Sequence, residues 1–249
     1  MSRAALLLLA DGRFPAGGYA HSGGVEAAVA HKAVHDIDSL EAFCRGRLHT
    51  TGLTTAGLAA AAAAGCDPLL LDDAADARTP TPALRAVARR LGRQMMRAAR
   101  ATFPSAELDR LAAARPQGAH QPIVQGLAAR AAALTPMDAA CAAAYESTGG
   151  PATATVRLLS LDPLDASRLL ARLSAEADAV AAAAVAAAAV AAAAVAAAAV
   201  AAAAADAAAA DAAARVATEG LGALPSASSP LLDITAEQHA AWTVRLFAS

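Results

Sequence analysis

Apolar and polar positions in this chain alternate with the period of a helix, and the polar interruptions fall where helices start and stop. Apolar residues at 84, 87, 91 and 95 recur every three or four positions between arginines, which predicts an amphipathic helix over 84–101. Gly92 lies inside that pattern, where glycine is costly unless it admits a close neighbour, so a tight helix contact is expected there. Upstream, helices are predicted over 22–34 and 39–64, with Asp38 or Ser39 as the cap of the second and Glu41 supporting its first turn. Gly65-Cys66-Asp67-Pro68 should stop it, and a helix over 69–77 should end at Arg78-Thr79-Pro80-Thr81-Pro82. Shorter helices are expected over 105–114, 121–134, 136–146 and 151–161, the last two separated by Gly149-Gly150. Together these elements predict an all-α, single-domain bundle of about ten helices spanning 1–249.

The segment 179–215 is a low-complexity tract within that domain. From 179 to 205 it contains only alanine and valine, and no Gly or Pro occurs between Leu164 and Glu219. Alanine is the best helix former, so a long Ala-rich helix near the C-terminus is the natural local structure. Val180, Val185, Val190, Val195 and Val200 are five apart. At roughly 100° per residue they spiral around a helix and make neither a stripe nor a coiled-coil seam. The tract is long enough to span a bilayer, but it lacks an aromatic belt and is bordered by Asp178 and Asp206. A helix in the bundle is preferred, and a membrane-associated helical adaptor is the alternative.

Composition agrees with the helical reading. Aromatic residues are 3%, and Lys32 is the sole lysine among 20 basic residues. A net charge of -2 gives no electrostatic footprint for nucleic acid. Cys44, Cys66 and Cys141 form no paired spacing, which suits a reducing, cytoplasmic setting. The apolar stretch 4–10 after Arg3 is read as a helix or docking segment, being minimal for a signal sequence.

Two patterns invite catalytic or metal chemistry. His21-Ser22 places a base beside a hydroxyl, but adjacent residues rarely reach nucleophile geometry and the chain has no Gly-x-Ser-x-Gly elbow. A Ser/His hydrolase is therefore the lesser alternative. His31 and His35 lie four apart on a predicted helix, a spacing that can share a metal, yet no third helical ligand accompanies them and surface histidines are preferred. No P-loop is present, so no GTPase activity of its own is expected.

The segment 6–26 joins a leucine run to Asp11, Phe14-Pro15-Ala16-Gly17-Gly18-Tyr19, then His21-Ser22-Gly23-Gly24-Val25-Glu26. Pro15 fixes one backbone angle and the glycines permit left-handed ones, so a sharp corner is expected before the next helix. This segment resembles the N-terminal signature of the UreF family of urease accessory proteins, with Gly12 where the family has a serine. Arg89-Arg90-Leu91-Gly92-Arg93 and His120 to Leu127 resemble two central family segments. Residues 155–163 match a third, except that Asp162-Pro163 replaces a Gly-Gln pair. Ser229-Pro230-Leu231-Leu232-Asp233-Ile234, Glu237-Gln238-His239 and Arg245-Leu246-Phe247-Ala248-Ser249 resemble the family's C-terminus. The resemblance covers 6–34, 84–130, 150–175 and 228–249.

It implies a non-catalytic, dimeric adaptor that binds UreD (UreH), recruits and regulates the GTPase UreG, and docks on apo-urease for nickel insertion. Nickel would be in transit, with no tightly bound cofactor and no resident metal site. The implied partner-binding residues in the first block are Asp11, Pro15, Gly17, Gly18, His21, Ser22, Gly24 and Glu26. Arg93 and His120 come from the centre. Asp233, Glu237 and His239 would hold the C-terminal loop or face UreG, and Arg245, Leu246 and Phe247 would contact UreD. No nucleic-acid or membrane partner is implied.

Overall fold

A computed structural model describes residues 3–203 and 207–247. Its regular structure is helical, with no strand among the described residues. The helices are α1 (Arg3–Ala10), α2 (Val25–Ala30), α3 (Ile37–Arg47), α4 (Leu53–Ala64), α5 (Pro68–Ala77) and α6 (Pro82–Thr102). They continue as α7 (Ala106–Ala114), α8 (Gln121–Ala131), α9 (Pro136–Leu159), α10 (Pro163–Ala203), α11 (Ala207–Gly220) and α12 (Pro230–Ala240). The all-α expectation holds.

Alpha 4 runs through the centre. Ala56 and residues 58–63 are all buried, because alanine lets α8, α9 and α10 approach it closely on every side. A second, smaller core gathers Val25, Leu40, Ala154, Leu169, Leu173 and Phe247, joining both ends of the chain to α3, α9 and α10. The expected close approach at Gly92 is present: a side chain there would strike the Ala119 carbonyl oxygen.

Four expectations are corrected. The helix predicted over 22–34 is only α2, because Gly23 and Gly24 take positive φ before it and Lys32 does so after it. His31 caps its end, so His31 and His35 share no helical face. The cap of α3 is Asp36, neither Asp38 nor Ser39: its carboxylate accepts from the Ser39 amide at 2.9 Å, while Ser39 Oγ accepts from the Asp36 amide at 3.0 Å. Alpha 3 reaches α4 through a wide π turn, Leu48–Gly52.

The fourth correction is that 136–146 and 151–161 form the single helix α9 with Pro151 inside it. Proline lacks the amide that would bond to Ser147 four residues back. Arg47 substitutes for it, its Nε donating to the Ser147 carbonyl at 3.1 Å. The long Ala-rich helix expected near the C-terminus is present as α10, and the run continues in α11. Alpha 11 packs back along α10, with Gly220 against Ala194. Residues 204–206 of the tract lie outside the described residues.

The valines do spiral: Val180 is buried, whereas Val190 and Val200 are exposed. The buried stripe of α10 is made instead of alanines, Ala181, Ala184, Ala188, Ala191 and Ala198, at three-, four- and seven-residue steps.

Candidate partner-docking site

The first and last sequence blocks meet at one carboxylate. Gly17 (φ 83°) and Gly24 (φ 88°) turn the chain between α1 and α2, a backbone that other residues resist. Gly17 is also pressed against the Gln94 side chain, and Gly18 lies beside the Glu146 carboxylate. Ser22 is fully buried, its Oγ accepting from the Gly24 amide at 3.2 Å, which fixes the entry to α2. That corner delivers Glu26 into the interior.

Glu26 accepts from His239 Nε2 at 2.9 Å, from the Leu246 amide at 2.7 Å and from the Phe247 amide at 3.1 Å. The indole of Trp242 packs on His239 with ring centroids 4.6 Å apart. Phe247 is buried under the Arg157 guanidinium, 4.3 Å from its ring centre. Arg245 is exposed and Leu246 strongly so, beside exposed Val244. On α12, Leu231 and Ile234 also face outward. Glu237 anchors that helix by accepting from the Ala83 amide at 2.9 Å, an orphan donor in the first turn of α6. Asp233 is half-buried, and loss of solvent raises its carboxyl pKa.

His21 lies behind this junction. Burial lowers its pKa to about 4, reinforced by the positive charges of Arg90 and Arg47 and by His239. It lines three cavities, of about 120, 320 and 210 Å³. The first two share Gly18, Gln125, Glu146 and Gly150 with it. Glu146 accepts from Gln121 Nε2 at 2.7 Å and from Gln125 Nε2 at 3.4 Å, and burial raises its pKa.

Other residues singled out from the sequence lie elsewhere. Asp11 pairs locally with Arg13, whose side-chain hydrogen bonds hold its carboxyl at about 2. Pro15 is exposed in a shallow groove with Gly17 beside α6. Arg93 is exposed and donates to the Gln117 carbonyl at 2.8 Å. His120 is buried, its Nε2 2.7 Å from Asp76 and its amide donating to Asp72 at 2.7 Å. Asp72 also accepts from Arg89 and Arg115, so this cluster ties α5, α6 and the start of α8 together.

Glu146, Arg47, Gln121 and Gln125 escape the sequence reading. The four-residue spacing of Gln121 and Gln125 in an otherwise apolar helix is the one signal for them. Among the described residues, no three His, Cys, Asp or Glu side chains are grouped to hold a metal ion.

The UreF family pattern matches residues 34–174. A urease accessory protein UreF from Mycolicibacterium vanbaalenii is 37% identical over 252 aligned positions, covering 100% of this chain and 99% of the relative. Another, from Mycobacterium tuberculosis, is 40% identical over 183 positions, covering 72% of this chain and 84% of its own length.

The chain belongs to the UreF family.

As the family's name says, it is a urease accessory protein and not a catalyst. The geometry of the suspected nucleophile agrees: Ser22 Oγ serves the Gly24 amide within a closed interior. In this UreF-family chain the N-terminal signature shapes a corner, and the C-terminal one is fastened to it by Glu26.

Proposed function

We propose that this chain is the adaptor of a urease-maturation complex. It binds UreD (UreH) through the surface where its first and last blocks meet, recruits and regulates UreG, and docks on apo-urease for nickel insertion. Nickel enters this reading as cargo in transit, and the adaptor works as a homodimer in the cytoplasm. The observation that carries it is the Glu26 junction, which holds His239 and the tail amides together while leaving Val244 and Leu246 exposed. Exposed apolar side chains on a fastened tail suit docking to a protein partner.

Co-expression with UreD and UreG tests this directly. A complex containing all three chains is expected, and failure to co-purify with either refutes the assignment. Deleting residues 245–249 should weaken UreD binding, and unchanged affinity would refute the local claim.

The membrane alternative rests on Pro163–Ala202, a helix long and apolar enough to cross a bilayer by length and composition. Its alanine stripe packs on α4, α9 and α11, which favours the bundle. Recovery of the full chain in the membrane fraction would reverse that preference.

A further inference from the structure

Arg47 carries a positive charge into the bundle with no negative partner. Its Nε and Nη1 donate to the carbonyls of Ser147 and Gly23, at 3.1 and 2.7 Å. Among the described residues no carboxylate forms an ion pair with it, and no acceptor takes a hydrogen bond from its Nη2. Carbonyl dipoles satisfy donors but leave the charge unbalanced, and loss of solvent around the guanidinium lowers its pKa. The nearest sulfur is no counter-ion, because burial pushes the Cys44 thiol up to about 12 and keeps it neutral.

The same cavity contains a second unmet group. His21 Nε2 is buried with no hydrogen-bond partner, and both side chains line the space of about 120 Å³ together with Thr55, Gln121, Gln125 and Glu146. A water molecule could bond to His21 but could not balance the guanidinium. Glu146 does not fill that role either. Burial biases it toward the neutral acid, and its two oxygens already accept from Gln121 and Gln125. Arg90 adds positive field at His21 from the α6 side, and His239 faces it from α12.

We propose that this cavity is a binding site for a small planar oxyanion of the formate or bicarbonate class, held by Arg47 and His21. The guanidinium supplies the charge, and its Nη2 protons are the donors left for the anion's oxygens. The imidazole supplies one further donor from Nε2. The cavity of about 120 Å³ has room for an ion of this size. Both side chains come from one chain, and the site does not rest on the partner-docking reading.

Titration of the isolated full chain with sodium formate, and separately with bicarbonate, tests the proposal. Sodium chloride at equal ionic strength is the control. The His21 ring and Arg47 Nε resonances should shift saturably, and the His21 pKa should rise from about 4 as the bound anion favours the imidazolium. Arg47→Gln should bind roughly tenfold more weakly or worse, while Arg47→Lys keeps part of the affinity. Should Arg47→Gln fail to fold, His21→Gln serves instead and should also weaken binding. Shifts that never saturate, that chloride reproduces, or that persist unchanged in the folded variants would overturn the site.

Discussion

His21 illustrates how burial, and not residue type, sets a side chain's chemistry. In the unfolded chain its pKa is near the ordinary 6.5, and in the fold it is about 4. Between those values the unfolded chain takes up a proton that the folded chain refuses. Stability from this group is therefore fully present above about pH 6.5 and falls as pH drops toward 4, by up to roughly 3 kcal/mol. His21→Gln should flatten that part of the curve, measured by urea unfolding at several pH values. A variant with the wild-type slope would show that another group is responsible. The Ser22 half of the His21-Ser22 pair, suggestive in sequence, has a structural role: the hydroxyl is fully buried and its Oγ accepts from the Gly24 amide.

Among the elements, α9 departs most from local rules. Gly149-Gly150-Pro151 reads as a break, yet the helix continues because Arg47, over one hundred residues away in sequence, donates to the carbonyl that Pro151 leaves free. Arg47→Met should therefore destabilise the native chain more than it destabilises a Pro151→Ala background. The coupling in a double-mutant cycle should be about 1 kcal/mol. Additive effects would mean the carbonyl contact contributes nothing.

The α10–α11 pair makes a different point. Its packing depends on alanines, whose small side chains allow close helix approach. Ala188→Leu should cost about 1–3 kcal/mol by overpacking, whereas Val190→Ser, at an exposed position, should stay within roughly 0.5 kcal/mol. Thermal unfolding of the two variants checks the contrast, and equal effects would refute the stripe.

At the scale of the whole molecule, Glu26 closes the chain on itself across 221 residues of sequence. Glu26→Gln replaces one acceptor oxygen by an amide donor facing His239 or the tail amides, a loss of about 1–3 kcal/mol at a buried site. Limited proteolysis should then release the segment after α12 faster. UreD binding should weaken as is expected on deleting 245–249, with little further loss when both changes are combined. Full additivity would separate the tail from Glu26. The fold class and most helix boundaries were legible beforehand, since periodicity, caps and Gly-Pro stops are local signals. The junction itself was visible only as two separate motifs, and Arg47 and Glu146 gave no sign of their roles.

The sequence by itself determined that the chain is helical, where most helices begin and end, and to which family it belongs, because short-range propensity and motif identity need no partner. Only the tertiary structure decided that α9 crosses a proline, that the alanine tract folds back, that His120 faces Asp76 in the interior, and that one carboxylate unites the termini. Each of those outcomes depends on a group distant in sequence supplying a donor, a charge or a surface. A local pattern contains no record of what will be brought against it.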